Sequence, residues 1–125
     1  MTEIKQIFRE TEQFLEREIE VAGWVRNIRA SKKFGFIELN DGTFFQNLQI
    51  VFEEDLPNFD EVCKLGISTA LVVTGKLVAS PGSGQAFELK ASEILVLMLQ
   101  YDLQSDKFSL ILFHYEFRRF LLMYS

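Results

Sequence analysis

EIEVAGWVRNIRASKKFGFIELNDGTFFQNLQIVF, residues 18–52, contains three apolar runs with a period of two. Over residues 18–25, Ile19, Val21, Gly23 and Val25 alternate with Glu20, Ala22 and Trp24, the pattern of a strand with one face turned to a core. Ile28 breaks the alternation after Val25, which predicts a bulge or bend of the kind that lets one strand serve both sheets of a small barrel. Residues 34–39 place Gly35, Ile37 and Leu39 on one face and Phe34, Phe36 and Glu38 on the other. Asn40, Asp41 and Gly42 then read as a turn. A third strand over residues 47–52 points Leu48, Ile50 and Phe52 one way and Asn47, Gln49 and Val51 the other.

Beyond this stretch, Asn58 is placed to cap a short helix with Glu61 three residues on; Phe59, Val62 and Cys63 give it an apolar side and Gly66 ends it. Residues 70–78 form a fourth strand, with Leu71, Val73, Gly75 and Leu77 on one side. Ser80, Pro81, Gly82, Ser83 and Gly84 make a loop, after which Phe87, Leu89 and Ala91 alternate with Ala86, Glu88 and Lys90 as a fifth strand. Three strands, a short helix and two strands is the order of an OB fold; another small β-barrel is the alternative. Upstream, Ile4, Ile7 and Phe8 fall at helical spacing after Thr2, the expected N-cap. The expected fold class is all-β with minor α: a five-stranded OB-fold barrel, a short N-terminal helix and a helix between strands 3 and 4. The expected divisions are a helical segment at residues 1–15, the barrel at 16–97 and an apolar tail at 98–125, for which a helix is one option.

The 125 residues, 48% of them hydrophobic, suffice for one domain with a real core. A net charge of −5 argues against holding long duplexes through phosphate charge, which needs a broad basic surface. Recognition of a single-stranded loop stays open, because stacking and base-edge hydrogen bonds carry much of it. One cysteine, Cys63, excludes an internal disulfide and fits a reducing cytoplasm, the expected compartment. The first twenty residues lack the pattern of a secretory signal, and His114, Glu116, Arg118 and Arg119 interrupt the most apolar stretch, so no membrane span is expected.

If the shared inner faces form the core, Trp24, Arg26, Phe36, Glu38, Gln49 and Glu88 lie outside. An aromatic, an amide and a carboxylate on neighbouring strands, with arginines near, supply a stacking platform, base-edge partners and phosphate contacts. The same residues also fit a plainer account: a half-exposed Phe packs under a loop, and Gln and Glu are ordinary solvent-facing strand residues. Arg26, Arg29, Lys32 and Lys33 form the dense basic stretch, equally a phosphate grip or a solvated hairpin tip. Trp24, beside Gly23, reads as a packing residue. A single His far from the single Cys gives no nucleophile or metal set, and Gly82 and Gly84 do not make a phosphate-binding loop. No catalytic residue, metal or cofactor is expected.

GWVRNIRASKKFGFIELNDGTFFQNLQIVF, residues 23–52, resembles the start of the anticodon-binding domain of bacterial asparaginyl-tRNA synthetases. The resemblance continues through FEEDLPNFDEVCKLG (52–66), VTGKLV (73–78) and SPGSGQAFELKASEI (80–94), about three quarters of the chain. It implies an OB fold that binds the anticodon loop of an asparagine tRNA. In that family and its aspartyl relatives a phenylalanine on the second strand stacks on an anticodon base, the place of Phe36 here. A glutamine on the third strand helps read the central uridine, matching Gln49, and a glutamate on the fifth strand faces the anticodon, matching Glu88. Among backbone-contacting arginines, Arg26 is the first carry-over and Arg29 the second.

After Ile94 the family continues through a linker containing Tyr-Pro-Leu-Gln into a class II catalytic domain, whereas this chain reads YDLQSDKFS (101–109) and then HYEFRRFLLMYS (114–125). None of the class II motifs is present, so the chain is not expected to be an enzyme by itself, although its parent family joins asparagine to tRNA with ATP. The expectation is a truncated synthetase whose end has diverged or shifted frame. A rival makes residues 107–124 a terminal helix docked on the barrel, or an apolar surface for a homodimer or another partner.

Overall fold

Residues 1–80, 86–102 and 107–112 are described by the computed structural model, with side chains over residues 1–80 and 86–97. The loop expected at 80–84, apart from Ser80, and residues 113–125 of the tail lie outside the described residues.

Alternation in the first apolar run produces a strand of 13 residues, β1 (Glu18–Ala30), with Ile19, Val21 and Val25 buried. Its first half pairs antiparallel with β4 (Ala70–Ala79), and its second half with β2 (Phe34–Asn40). The register shifts between Val25 and Asn27, so the expected bulge is present, with Arg26 as the extra residue. β2 continues antiparallel into β3 (Leu48–Glu53). β5 (Phe87–Asp102) pairs antiparallel with β4 and closes the cylinder by a short parallel ladder to β3, Ile50↔Leu89 and Val51↔Lys90. The result is the five-stranded OB barrel with short helices that the strand order predicts.

Inward positions on all five strands meet in one core that includes Val21, Val25, Ile37, Leu39, Ile50, Phe52, Leu71, Val73, Leu77 and Leu89. Short helices add to it: α1 (Ile4–Arg9) contributes Ile4 and Ile7, both fully buried, and α3 (Phe59–Cys63) contributes Phe59 and Val62. Between them in sequence lies a single turn, α2 (Thr11–Phe14). α1 is capped one residue later than the sequence indicates, at Glu3 and not Thr2, and the Glu3 N–H donates to Gln6 Oε1 at 3.0 Å. Tertiary partners decide this boundary. Asp41 Oδ2 accepts from the Ile4 N–H at 2.9 Å and Thr43 Oγ1 from the Lys5 N–H at 3.1 Å, while the Thr2 N–H donates to the Glu20 carbonyl on β1 at 2.9 Å. At α3 the Asn58 amide bonds Glu61 Oε1 and, at 2.9 Å, the Ile94 carbonyl, which ties the helix to β5. That helix ends at Cys63 with Lys64 as its C-cap, two residues before Gly66.

The fifth strand outruns its expected end, and the helix considered for the tail is absent where the tail is described. Lys107–Leu112 form β6, antiparallel to β5 through pairs from Leu97↔Leu112 to Asp102↔Lys107. Over residues 107–112, Phe108, Leu110 and Leu112 alternate with Lys107, Ser109 and Ile111, a period of two and not the stripe of a helix. The part of β5 beyond β4 offers unpaired N–H and C=O groups, which a run containing Phe108, Leu110, Ile111 and Leu112 satisfies as a strand.

Candidate nucleic-acid interface

Because strand side chains alternate, the residues opposite the core form rows that cross β1, β2, β3 and β5. In one row Arg29 stands across from Phe36, Phe36 from Val51, and Val51 beside Lys90. In the next, Asn27 stands across from Glu38 and Glu38 from Gln49. One step back along the parallel ladder from Ile50↔Leu89 puts Gln49 alongside Glu88. Phe36, Gln49 and Glu88 thus share the outward face, each half-buried, while their sequence neighbours Ile37, Ile50 and Leu89 are in the core. Phe36 and Gln49 are diagonal neighbours, with Cα atoms separated by roughly 7–8 Å. A base lying on the Phe36 ring leaves its own edge, or that of the adjacent base, within reach of the Gln49 amide.

The bulge sorts the two arginines. Past it, the outward parity of β1 moves by one residue, so Arg29 and not Ile28 joins the row of Phe36. Arg26 is exposed at the bulge itself, beside the pairs Val25↔Leu39 and Asn27↔Glu38. The residue ranked second by resemblance therefore adjoins the ring, and the one ranked first lies at the edge of the face. Phe34 and Lys90 also belong to this face, although the candidate set omits them. Period-two spacing from Phe36 and Glu88 was the signal that could have found both.

Trp24 points outward but away from these rows. It pairs with Asn40 and Ala70, and its indole covers Gly42, where a Cβ would lie 3.3 Å from the ring. Gly42 has φ +80, a conformation that favours glycine, so the Trp24 ring and the β2–β3 turn fit together as packing. The turn is held by Asn40, whose Oδ1 accepts from the Gly42 N–H at 2.7 Å and whose amide donates to Asn47 Oδ1 at 2.9 Å. A groove of about 330 Å³ lined by Thr2, Glu3, Trp24, Asp41, Thr43 and Leu97 lies on this other side and shares no residue with the face.

Charge on the face is mixed. Lys90 Nζ approaches Glu53 Oε1 at 3.9 Å, an exposed pair of small energetic weight. Among the described residues no three His, Cys, Asp or Glu side chains gather as a metal site. The Cys63 thiol is pushed above its ordinary range by burial and then by the Asp60 carboxylate, against the opposing pull of Lys64. Its sulfur stays protonated at neutral pH, as expected of a helix packing residue and not of a nucleophile. Chemically, the face offers ring stacking, amide and carboxylate hydrogen bonding and guanidinium charge, the set that reads unpaired bases.

Comparison with known proteins agrees with this chemistry. Residues 19–97 match the tRNA anti-codon family, described as an OB-fold nucleic acid binding domain. The asparagine–tRNA ligase of Clostridium tetani (strain Massachusetts / E88) is 53% identical over 109 residues, covering 85% of this chain and 24% of that protein. That of Acetivibrio thermocellus is 57% identical over 94 residues, covering 74% of this chain and 20% of the relative. The crystal structure of asparaginyl-tRNA synthetase from Pyrococcus horikoshii complexed with asparaginyl-adenylate matches with a TM-score of 0.60 at 22% identity, over 67% of this chain and 20% of that chain. The last likeness is one of fold alone. This chain spans only 20–24% of the length of these curated relatives. No helix among the described residues is long and apolar enough to cross a membrane. With the family model matching well over half of its residues and the strands closing into an OB barrel, the chain belongs to the tRNA anti-codon family of OB-fold nucleic acid binding domains.

Proposed function

We propose that this domain binds the anticodon loop of an asparagine tRNA, with Phe36 stacking on one base, Gln49 and Glu88 reading base edges, and Arg29 and Arg26 contacting the backbone. The observation that carries the reading is the convergence of Phe36, Gln49 and Glu88, from three different strands, on one outward face. The relatives are asparagine–tRNA ligases, and the domain would supply recognition within that activity, in the cytoplasm, while the ligation chemistry belongs to the parts of those proteins that this chain does not match. Contacts made elsewhere on the tRNA add to anticodon binding through effective concentration, so the domain by itself binds more weakly than a complete synthetase.

Titration with an RNA stem-loop carrying an asparagine anticodon tests the proposal. Phe36→Ala and Gln49→Ala are each expected to weaken binding by about 1–3 kcal/mol with an unchanged thermal midpoint. Equal affinity of the parent for matched and scrambled loops defeats it.

A further inference from the structure

Phe34 shares the outward face of β2 with Phe36, on the side of the β1–β2 hairpin, and its Cα partner on β3 is Glu53. Phe34 is 46% exposed, more than Trp24, the other large hydrophobic residue that the described strands leave exposed. The Phe34 and Phe36 rings meet edge to face, with centroids 5.5 Å apart and planes at 86°. Such a contact steadies the Phe36 ring, yet it leaves nearly half of Phe34 in water. The backbone at Phe34 is fixed, since its carbonyl accepts from the Ser31 N–H at 2.8 Å and from Ser31 Oγ at 3.0 Å. Lys32 and Lys33, both exposed, immediately precede it.

Resting on the RNA-binding reading above, we propose that Phe34 is a second stacking platform, which takes the nucleobase adjacent to the one on Phe36. Base–aromatic stacking accepts any base because each has a π-face, so this site adds affinity and loop geometry, not base identity. The perpendicular rings define that geometry. Two bases lying flat on them cannot stack on each other, and the backbone must turn between them. The ligand is therefore a sharply turned single-stranded loop whose neighbouring bases are splayed apart, with Lys32 and Lys33 beside its phosphates. A regularly stacked single strand or a duplex does not satisfy both rings.

The test uses the whole chain and variants Phe34→Ala, Phe34→Leu, Phe34→Trp and Phe36→Ala. Each is titrated with the matched stem-loop and with copies in which one abasic nucleotide is moved along the loop. Phe34→Ala is expected to lose about tenfold in affinity, Phe34→Leu a similar amount, and Phe34→Trp to bind as the parent does. The Phe34→Ala penalty should vanish at one abasic position and the Phe36→Ala penalty at the adjacent one. Phe34→Leu binding like the parent overturns the proposal, because an apolar prop would then suffice. So do penalties that vanish at one shared position, or a Phe34→Ala penalty that survives at every position. A parent indifferent to the loop sequence sinks the anticodon reading alone, since the abasic series still reports whether Phe34 holds a base.

Discussion

Gly35 separates the two outward-facing rings of β2 and faces the core beneath them. A Cβ there would overlap the Phe52 ring, which is fully buried and leans on Phe59 with centroids 5.6 Å apart. With the ring confined on both sides, β2 must lift away to make room, carrying Phe34 and Phe36 with it. Gly35→Ala is therefore expected to destabilise the barrel by about 1–3 kcal/mol, read from the urea midpoint, and to weaken loop binding although residue 35 touches no base. An unchanged midpoint would show that the core can absorb the methyl group. The same closeness explains what was legible residue by residue. Alternation alone brought Phe36, Gln49 and Glu88 together, because parity survives along an unbroken strand. It did not place Arg29 in the row of Phe36, because a bulge resets parity and its position depends on the partner strand.

Among the elements, α1 is six residues long and would not persist in isolation. Its stability comes from the buried Ile4 and Ile7 and from the β2–β3 turn, where Asp41 accepts from the Ile4 N–H and also, through Oδ1, from the Thr43 N–H and hydroxyl. Asp41→Ala should cost about 0.5–2 kcal/mol, as for loss of a helix cap, and Ile7→Ala about 2–5 kcal/mol for a cavity in a fully packed site. Amide exchange should show α1 opening more readily in Asp41→Ala with β4 protected as before; equal exchange in both proteins would refute a capping role. The helix itself was legible from the spacing of Ile4, Ile7 and Phe8, but its first residue was not, since the acceptor lies 37 positions away in sequence. β6 escaped for a related reason. Its period of two, Phe108, Leu110 and Leu112 against Lys107, Ser109 and Ile111, spans only six residues of an otherwise apolar tail, and the free edge of β5 fixes it as a strand.

For the molecule as a whole, a net charge of −5 and a face carrying Arg26, Arg29, Lys32, Lys33 and Lys90 limit how many phosphates can be neutralised. At about −0.7 per contact on a single strand, engaging three to five of these cations predicts a slope of log affinity against log salt of about −2 to −3.5. Titrations at several salt concentrations would measure it, and a much steeper slope would mean that a wider basic surface than this face is engaged. The fold class was readable because five strands and one intervening helix admit few closures, and the bulge in β1 was implied by Ile28.

The parallel ladder that completes the cylinder has two registered pairs, Ile50↔Leu89 and Val51↔Lys90, and parallel pairing is the less stable kind. Gln49 and Glu88 sit on opposite sides of that join. A molecule gripping both would act as a clasp across this short seam, so part of its binding free energy would reappear as resistance of β3 and β5 to coming apart. Recognition and closure would then reinforce each other.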